Sequence, residues 1–540
     1  MKINKHRFTP LLMSLCVIIG ILMGLFYSNH FASGKLKIIN GGANKLGNLL
    51  EAIQNNYVDE VSLDTIIEEA IPLILKELDP HSSYISAADA ESVADELKGS
   101  FSGIGVSFSM QKDTVTIMQV IKGGPSEKVG LLPGDRIITA NEDTLNGMVN
   151  TDVMKKLKGP WGTEVKLGIK RRNADKLIYY TVRRGDIPVH SVDVSYMIDK
   201  KTGYVSIESF GEQTYNEFVV ALAELNMQGM ENLIVDLRGN RGGYMHIAIQ
   251  MANEFLSKNQ LIVYTQGVHS RREDYYSDGR GSFQRLPLVV LVDEGSASAS
   301  EIFAGAMQDN DRATILGRRT FGKGLVQQPM DFKDGSSIRL TIARYYSPSG
   351  RCIQKPYVPG HGEEYEMELM ERYERGEYFS GDSIKQTGEE FHTTLGRTVY
   401  GGGGITPDIF VAEDTTGMTS YYKEAVINGY IREFAFDYTD DNRETLSRFE
   451  KTTDMEKYLR KQGLLEKFSK HAAEHGLQRR NLMLQQSRLL FERYIMGSII
   501  YNMKSTQEYR EFNNEYDPAI KRALKVISEG KARPKAGMKY

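Results

Sequence analysis

The sequence predicts an α/β core that follows a small β-rich domain and lies between helical segments. Residues 233–237 and Leu288–Val292 are short strand-like runs, each followed by turn residues, as is typical of buried strands. A helical stripe precedes the first run, at Phe218, Ala221, Leu222 and Leu225. Strands that alternate with helices predict an α/β core at about residues 186–412.

Composition narrows the class of protein. The chain has 540 residues, of which 41% are hydrophobic, enough for about three or four domains with real cores. Its 67 basic and 70 acidic side chains give a net charge of −3, so no nucleic-acid partner is expected. Cys16 lies in an apolar run and Cys352 lies far along the chain, so no intrachain disulfide is predicted.

The N-terminus, residues 1–34, indicates the compartment. Three basic residues, Lys2, Lys5 and Arg7, precede a run of 17 uncharged, mainly apolar residues, 11–27. This pattern predicts a segment in the cytoplasmic membrane with the rest of the chain extracytoplasmic, in the periplasm. Small residues at 32–34 offer a weak site for signal-peptide cleavage, and a retained anchor is favoured.

Helical patterns occur in the N-terminal and C-terminal parts of the chain. Residues 35–98 carry two apolar stripes and break at Pro80, beside His81, for which a helix-end role is preferred to a catalytic one. Residues 413–540 are also helical and predict a packing or oligomerisation domain, with a frayed basic tail at the end. Residues 363–377 predict a solvated helix or a lid.

Residues 99–185 predict a small β domain. Glycine and proline turns separate short alternating strands, and a short amphipathic helix lies among them. At its start, Gly103, Ile104, Gly105 and Val106 form a glycine turn that opens a strand. Successive N–H groups in such a turn can hold a peptide carboxylate, although a glycine turn without a ligand has the same pattern.

A serine lies at a junction between strand and helix. Ser298 follows the run Leu288–Val292 and precedes an amphipathic helix, so free N–H groups and the positive end of the helix dipole would face its surroundings. Such a place suits a nucleophile, because charge on a carbonyl oxygen would be stabilised there. A capping box formed by Ser298 and Glu301 is the structural alternative.

A lysine lies between two glycines in the next turn. Burial of Lys323 between Gly322 and Gly324 would depress its pKa and allow the neutral amine to act as a base. Residues 317–323 also match most of a phosphate-binding loop. That alternative is disfavoured because Gly324 replaces the required hydroxyl and Pro329 follows too soon for a helix.

Glycines also follow the first core strand. Gly242 and Gly243 lie between a strand and a predicted helix, where their N–H groups can point into a cleft as an oxyanion hole requires. A tight turn without a catalytic role is the alternative.

The motifs around residues 296–302 and 320–324, with Lys323 25 positions after Ser298, resemble the C-terminal processing peptidases, a family of serine peptidases. The resemblance implies an α/β serine-peptidase core of the ClpP/crotonase-like type, with an inserted PDZ domain at 99–185 and helical N- and C-terminal regions. It also implies site roles. Ser298 would be the nucleophile, Lys323 the base and Gln327 its orienting group. The oxyanion hole would use Ala299 with Gly242 or Gly243, and Gly103 to Val106 would bind the peptide carboxylate.

The function hypothesis is a membrane-anchored endopeptidase that recognises free protein C-termini and cleaves with a Ser–Lys dyad. Its partners would be protein or peptide substrates and the membrane, with homo-oligomerisation through the C-terminal helices. No cofactor or metal is expected, because the ten histidines are scattered without a metalloprotease motif. The alternative is a catalytically silent scaffold that binds peptide tails through the PDZ-like domain.

Overall fold

A computed structural model describes residues 9–31, 44–111, 113–172, 174–192, 194–386 and 388–536. The helices are α1 (Thr9–Phe31), α2 (Lys45–Asn56), α3 (Leu63–Lys76), α4 (Ala87–Lys98), α5 (Pro125–Val129), α6 (Asn150–Leu157), α7 (Thr214–Met227), α8 (Met245–Asn253), α9 (Ala299–Asp309), α10 (Gly362–Glu374), α11 (Ser420–Ile427), α12 (Tyr430–Leu446), α13 (Thr452–Leu459), α14 (Leu464–Glu474), α15 (Asn481–Gln486), α16 (Arg488–Met503), α17 (Thr506–Asn514) and α18 (Pro518–Ser528).

The strands are β1 (Ser83–Ile85), β2 (Ser100–Gly103), β3 (Val106–Gln111), β4 (Thr114–Val120), β5 (Arg136–Ala140), β6 (Asp143–Thr144), β7 (Glu164–Lys170), β8 (Ile178–Arg183), β9 (Gly185–Pro188), β10 (Val194–Met197), β11 (Thr202–Ser206), β12 (Asn232–Asp236), β13 (Leu261–Gln266), β14 (Glu273–Tyr276), β15 (Leu288–Val292), β16 (Thr314–Gly317), β17 (Leu325–Asp331), β18 (Ser337–Tyr346), β19 (Glu390–His392), β20 (Thr398–Tyr400) and β21 (Ile409–Phe410).

The chain divides into two compact units, one ending at Pro72 and the other beginning at Leu73. The first unit holds α1, α2 and the first part of α3. No helix in the described part of the chain combines the length and the apolar character that crossing a membrane requires. The basic residues before residue 9 and the candidate cleavage site at 32–34 lie outside the described residues, so the anchor stays a prediction.

A six-stranded sheet forms the core of the second unit, in the order β10-β11-β12-β15-β16-β21. In this sheet the last five strands of that order run parallel to one another. Only the edge strand β10 is antiparallel to its neighbour. Alternate residues of β15 face opposite sides: Val290 packs in the cluster with α8 and α9, and Val289 packs with α18. Because both faces are covered, the strands are apolar throughout, which explains the unbroken run at 288–292.

A second sheet packs beside the core, in the order β1-β18-β13-β14, with β17 also paired to β18. All of its pairings are antiparallel. The segment 35–98, expected to be helical, therefore also contains a strand, β1, which pairs with β18 from 250 residues further along the chain. A local helical pattern gives no information about a three-residue strand whose partner is so distant.

The β-rich domain contains a sheet in the order β3-β4-β5-β7-β8, with β6 on β5. β3 is the edge strand of this sheet, and it begins directly after the glycine turn at 103–105. α6 buries Val153 and Leu157 in the same core as Ile104. The domain thus presents one unpaired strand edge next to a turn rich in N–H groups.

The C-terminal helices do not all share one hydrophobic core. α11 to α17 share a core of their own. α18 instead lays Ile520 and Ala523 against the core sheet, and Thr314 of β16 donates to the carbonyls of Lys531 and Ala532. The basic stretch predicted to be frayed is thus anchored at its start, and residues 537–540 lie outside the described residues.

Candidate active site

Ser298 occupies a strained turn between β15 and α9. Its backbone has φ 55° and ψ −113°, a conformation that side-chain-bearing residues rarely adopt and that nucleophilic serines at strand–helix turns share. Neighbouring contacts hold the turn in place: the Ala297 N–H and the Ser300 hydroxyl both donate to the carbonyl of Asn240, at 3.0 and 2.9 Å. The turn places the Ser298 side chain at the N-terminal end of α9, which is buried.

The glycine turn after β12 lies directly against Ser298. A Cβ on Gly242 would lie 2.8 Å from the Ser298 Cβ and 2.9 Å from the Ala299 nitrogen, and a Cβ on Gly243 would lie 2.4 Å from the Phe210 carbonyl oxygen. Only glycine fits at either position, and the φ values of 101° and 145° favour glycine as well.

The two glycines differ in what their N–H groups do. The Gly242 N–H donates to Oδ1 of Asn240 at 2.8 Å, so it is already engaged. Within the described part of the chain, the N–H groups of Gly243 and Ala299 have no acceptor. Of the two glycines that the sequence offered for an oxyanion hole, Gly243 is the one whose N–H is not engaged by a described residue.

Lys323 lies in the loop between β16 and β17, and Gln327 lies on β17. The lysine Nζ donates to Oε1 of Gln327 at 3.0 Å, and the amide nitrogen of Gln327 donates to the carbonyl of His81. That second bond fixes which way the amide points. Among the described side chains, no hydrogen bond joins the Ser298 hydroxyl to the Lys323 Nζ, whose hydrogen bond goes to Gln327.

The glycines around Lys323 have a packing reason. A Cβ on Gly324 would lie 2.8 Å from the nitrogen of Gln354, and one on Gly322 would lie 3.0 Å from the nitrogen of Gly404. In the sequence, these glycines indicated only that the lysine between them is buried. In the structure they let the lysine loop press against two neighbouring backbone segments.

Glu301 connects the serine turn to the lysine loop. Its Oε2 accepts the N–H of Ser298 at 2.9 Å and that of Lys323 at 2.8 Å. Its Oε1 accepts the Thr320 hydroxyl at 2.5 Å and the Gly322 N–H at 2.7 Å. One fully buried carboxyl group thus fixes the spacing between the two predicted catalytic residues.

Burial sets the charge states around the site. It lowers the pKa of Lys323, an effect that the positive charge of Arg339 adds to and that Glu301 and Asp79 oppose. It raises the pKa of Glu301 to about 7, against the donors that favour its ionised form. Burial and the nearby Lys323 lower the pKa of His81 to about 4, so this imidazole is neutral at neutral pH.

The turn that carries His81 is pinned to β18. Asp79 accepts the N–H groups of His81 and Ser82 at 2.9 Å each and the hydroxyl of Thr341 at 3.1 Å. The neutral imidazole of His81 meets the Tyr365 hydroxyl at 2.8 Å. His81 therefore contributes to the site mainly through its carbonyl, which orients Gln327.

α10 supports the lysine loop. The side chain of Arg372, 1% exposed, donates to the carbonyls of Thr320 at 2.7 Å and Phe321 at 3.1 Å. The segment predicted to be a solvated helix or a lid is therefore a helix with one buried face. The role of this helix depends on contacts with a loop that is distant in the sequence. The residue pattern of the helix alone could not show those contacts.

Replacing Arg372 by alanine is expected to lower the peptidase activity that the resemblance implies by about 10-fold, because the lysine loop would lose two charged donors and shift relative to Ser298. Initial rates on an unstructured protein substrate would measure this. Arg375→Ala, at the C-terminal end of α10 and more exposed, is the control and should stay close to wild type. Equal rates for wild type and the Arg372 variant would mean that α10 does not position the base.

The glycine turn of the β domain has the expected shape. Gly105 has φ 77°, and the carbonyl of Ile104 accepts the N–H and the hydroxyl of Ser126 at 3.0 and 2.6 Å. The N–H groups of Ile104 and Gly105 have no acceptor among the described residues. The two N–H groups therefore lie directly before Val106, the first residue of the edge strand β3.

The structure brings together residues that the sequence predicted and others that it did not. Ser298, Ala299, Lys323, Gln327 and the two glycines meet at the carboxyl ends of β12, β15 and β16. Sequence analysis weighed Glu301 only as part of a capping box, although its position three residues after Ser298 was the available signal. It did not assign a role to Arg372 or to the His81 carbonyl.

Comparison with known proteins identifies the family. The model of peptidase family S41 matches residues 201–362. The carboxy-terminal processing protease CtpA of Bacillus subtilis (strain 168) is 33% identical over 346 residues, which cover 64% of this chain and 73% of that protein. The chain belongs to peptidase family S41. The resemblance and the fold class predicted from the sequence are thereby confirmed, with a PDZ domain matched at residues 102–182.

This S41 peptidase is also similar to other known proteins. CtpB of Bacillus subtilis (strain 168) is 34% identical over 317 residues, 58% of this chain, and the chain spans 65% of that protein, slightly under two thirds. A solved photosystem II D1 C-terminal processing protease is 28% identical, covers 57% of this chain and 89% of that chain, and has a TM-score of 0.34. Residues 421–505 match a family of unknown function (DUF8443).

Proposed function

We propose that this S41 peptidase is a serine endopeptidase that uses Ser298 as nucleophile and Lys323 as general base, and that selects substrates by their free C-termini. The observation that carries the proposal is the shared carboxyl group of Glu301, which receives the N–H of both residues. A scaffold without catalytic activity would not need a strained serine held at a fixed distance from a buried, deprotonatable amine.

The proposed reaction begins with a neutral Lys323. The amine, oriented by Gln327, takes the proton of the Ser298 hydroxyl as the oxygen attacks the scissile carbonyl. The N–H groups of Gly243 and Ala299 stabilise the negative charge on the carbonyl oxygen, and the ammonium then protonates the leaving amine. Water, activated by the same lysine, releases the acyl fragment and restores the hydroxyl.

Recognition of C-termini is proposed for the PDZ domain. A substrate tail would add as a strand to the open edge of β3, with its carboxylate on the N–H groups of Ile104 and Gly105. Backbone bonding of this kind holds tails of different sequence, while the side chains beside α6 would set the preference for the terminal residue.

Activity is expected to rise with pH. The base acts only when neutral, and the neutral fraction grows as pH increases through the pKa of Lys323, which burial lowers below 10.5. Arg339→Ala would remove a positive neighbour, raise that pKa and shift the ascending limb to higher pH. Profiles of kcat/KM for the two proteins test this. A wild-type profile that is flat between about pH 6 and pH 9 would contradict a lysine base.

A substrate pair tests tail recognition. A protein with a free C-terminus and the same protein with an amidated C-terminus should differ in KM by about 10-fold or more, because the amide removes the charge that the loop binds. Gly105→Val should weaken binding of the free tail, since its Cβ would crowd Ile187 and Pro125 at 3.1 and 3.2 Å.

The matched control is Gly123→Ala, which carries similar backbone strain at φ 76° but meets nothing within 4 Å. Equal cleavage of both substrates would remove C-terminal recognition from the proposal. Binding of the free tail without cleavage would favour the silent scaffold.

The proposal extends to an extracytoplasmic location, with the chain held at the cytoplasmic membrane by its N-terminus. Its support is the order of basic residues before the apolar run at 11–27. Fractionation of cells that express the full chain should find it in the membrane fraction and sensitive to protease added outside the cytoplasm. Recovery from the cytoplasm would contradict this part.

A further inference from the structure

Three side chains with metal-ligating atoms meet in the helical bundle formed by α11 to α17. Glu433 lies on α12, His471 lies on α14, and His475 lies at the C-terminal end of α14. One ligand atom from each lies within 4.8 Å of the other two. We propose that this cluster binds a divalent transition-metal ion of the Zn²⁺ class.

The tautomer of His475 fits ligation. Its Nδ1 lies 2.7 Å from the carbonyl oxygen of His471, which can only accept, so Nδ1 carries the proton. The ring nitrogen left to bind a metal is then Nε2, which lies 3.7 Å from Oε1 of Glu433. Two ligands of one tetrahedral Zn²⁺ lie roughly 3.4 Å apart, so a small movement completes the site. Metal-binding histidines are commonly oriented by such a second bond.

Regular, packed elements hold the ligands. The ring of His471 packs against Phe434 with centroids 5.6 Å apart, and Phe434 packs against Phe468 of α14 at 5.8 Å. The rings of His471 and His475 stack at 4.2 Å, as their spacing of four residues allows. Sites built on helices keep their ligand geometry better than sites on loops.

The donor set decides the class of ion. Two imidazoles and one carboxylate suit Zn²⁺ and its neighbours in the first transition row, whereas Mg²⁺ and Ca²⁺ prefer oxygen ligands alone. Glu433 and His471 are half-buried and His475 is exposed, so an ion can enter and water can complete its coordination. A bound ion would join α12 to α14 and stabilise the bundle.

The inference goes beyond the proposed peptidase reaction, which uses no residue of this bundle. Sequence analysis expected no metal, because the histidines showed no metalloprotease motif. The spacing of His471 and His475 is visible in the sequence, but the carboxylate comes from another helix, 38 residues earlier. Only the packing of α12 against α14 brings the third ligand to the pair.

Metal binding by the full chain, prepared without a histidine tag and stripped with a chelator, tests the proposal. Titration with Co²⁺ should give visible d–d absorption that saturates at one equivalent and that Zn²⁺ displaces. His475→Ala and Glu433→Gln should each weaken binding by about 10-fold or more. His361→Ala is the control, because that exposed ring pairs with Glu364 on α10.

Thermal unfolding provides a second measurement. At the same concentration, Zn²⁺ should raise the unfolding midpoint of the wild type and of the control more than that of the two ligand variants. His475→Gln replaces the alanine variant if that one fails to fold. A wild-type chain that binds no equivalent of Co²⁺ or Zn²⁺ would overturn the proposal, and so would ligand variants that bind as tightly as the wild type.

Discussion

Ser298→Ala and Lys323→Ala are each expected to lower the rate of peptide cleavage by about four orders of magnitude or more. In the proposed mechanism, the first change removes the nucleophile at the head of α9 and the second removes its general base. The double variant should be no slower than either single one, because the two residues act as a unit. Single-turnover cleavage of an unstructured, tailed protein would measure all three.

Two further variants test whether Lys323 is needed as a proton acceptor or only as a positive charge. Lys323→Arg keeps a positive charge but cannot give up its proton, so it should be as inactive as the alanine variant. Lys333→Ala removes an exposed lysine between β17 and β18 and should behave like the wild type. Full activity of Lys323→Ala would show that another group activates Ser298.

Glu301→Gln is expected to reduce both stability and activity. Three backbone N–H groups and one hydroxyl point at this carboxyl group, and in either orientation the new amide nitrogen must face at least one of those N–H groups. A buried donor without an acceptor costs about 2 kcal/mol of unfolding free energy. Because the serine turn and the lysine loop would move apart, cleavage should also fall by about 10²-fold.

Denaturant unfolding and initial rates measure the two effects. The control is Glu294→Gln on the same turn, whose carboxylate pairs with Arg318 at a partly exposed position and should contribute less than about 1 kcal/mol. If Glu301→Gln matched this control in both measurements, the carboxyl group would not hold the site together.

The sequence predicted the parts of the site that depend on local pattern. Ser298 and Lys323 each follow an apolar strand and lie among small residues, so the chain carries the signal within about ten positions of each. The glycines at 242 and 243 follow another strand in the same way. Carboxyl ends of parallel strands meet at one edge of a sheet, which is why these three separate signals converge.

Other parts of the site depend on contacts that no local pattern contains. The carbonyl that orients Gln327 belongs to His81, which lies just before β1. That strand pairs with β18, a partner far away in the sequence. In the sequence, Arg372 resembles any charged residue of an exposed helix. Only the structure shows that its guanidinium donates to carbonyls of the lysine loop. The last helix, α18, has an amphipathic stripe that predicted burial but not against which partner.

The central claim is that Ser298 forms a covalent bond with the substrate, and intact-mass measurement of the acyl-enzyme tests it most directly. Enzyme mixed with a tailed substrate and quenched in acid within the first turnover should gain the mass of the N-terminal fragment. Peptide mapping should place that mass on Ser298, and the Lys323→Ala variant should show none. Cleavage products without any adduct, or an adduct on another residue, would contradict the Ser–Lys mechanism.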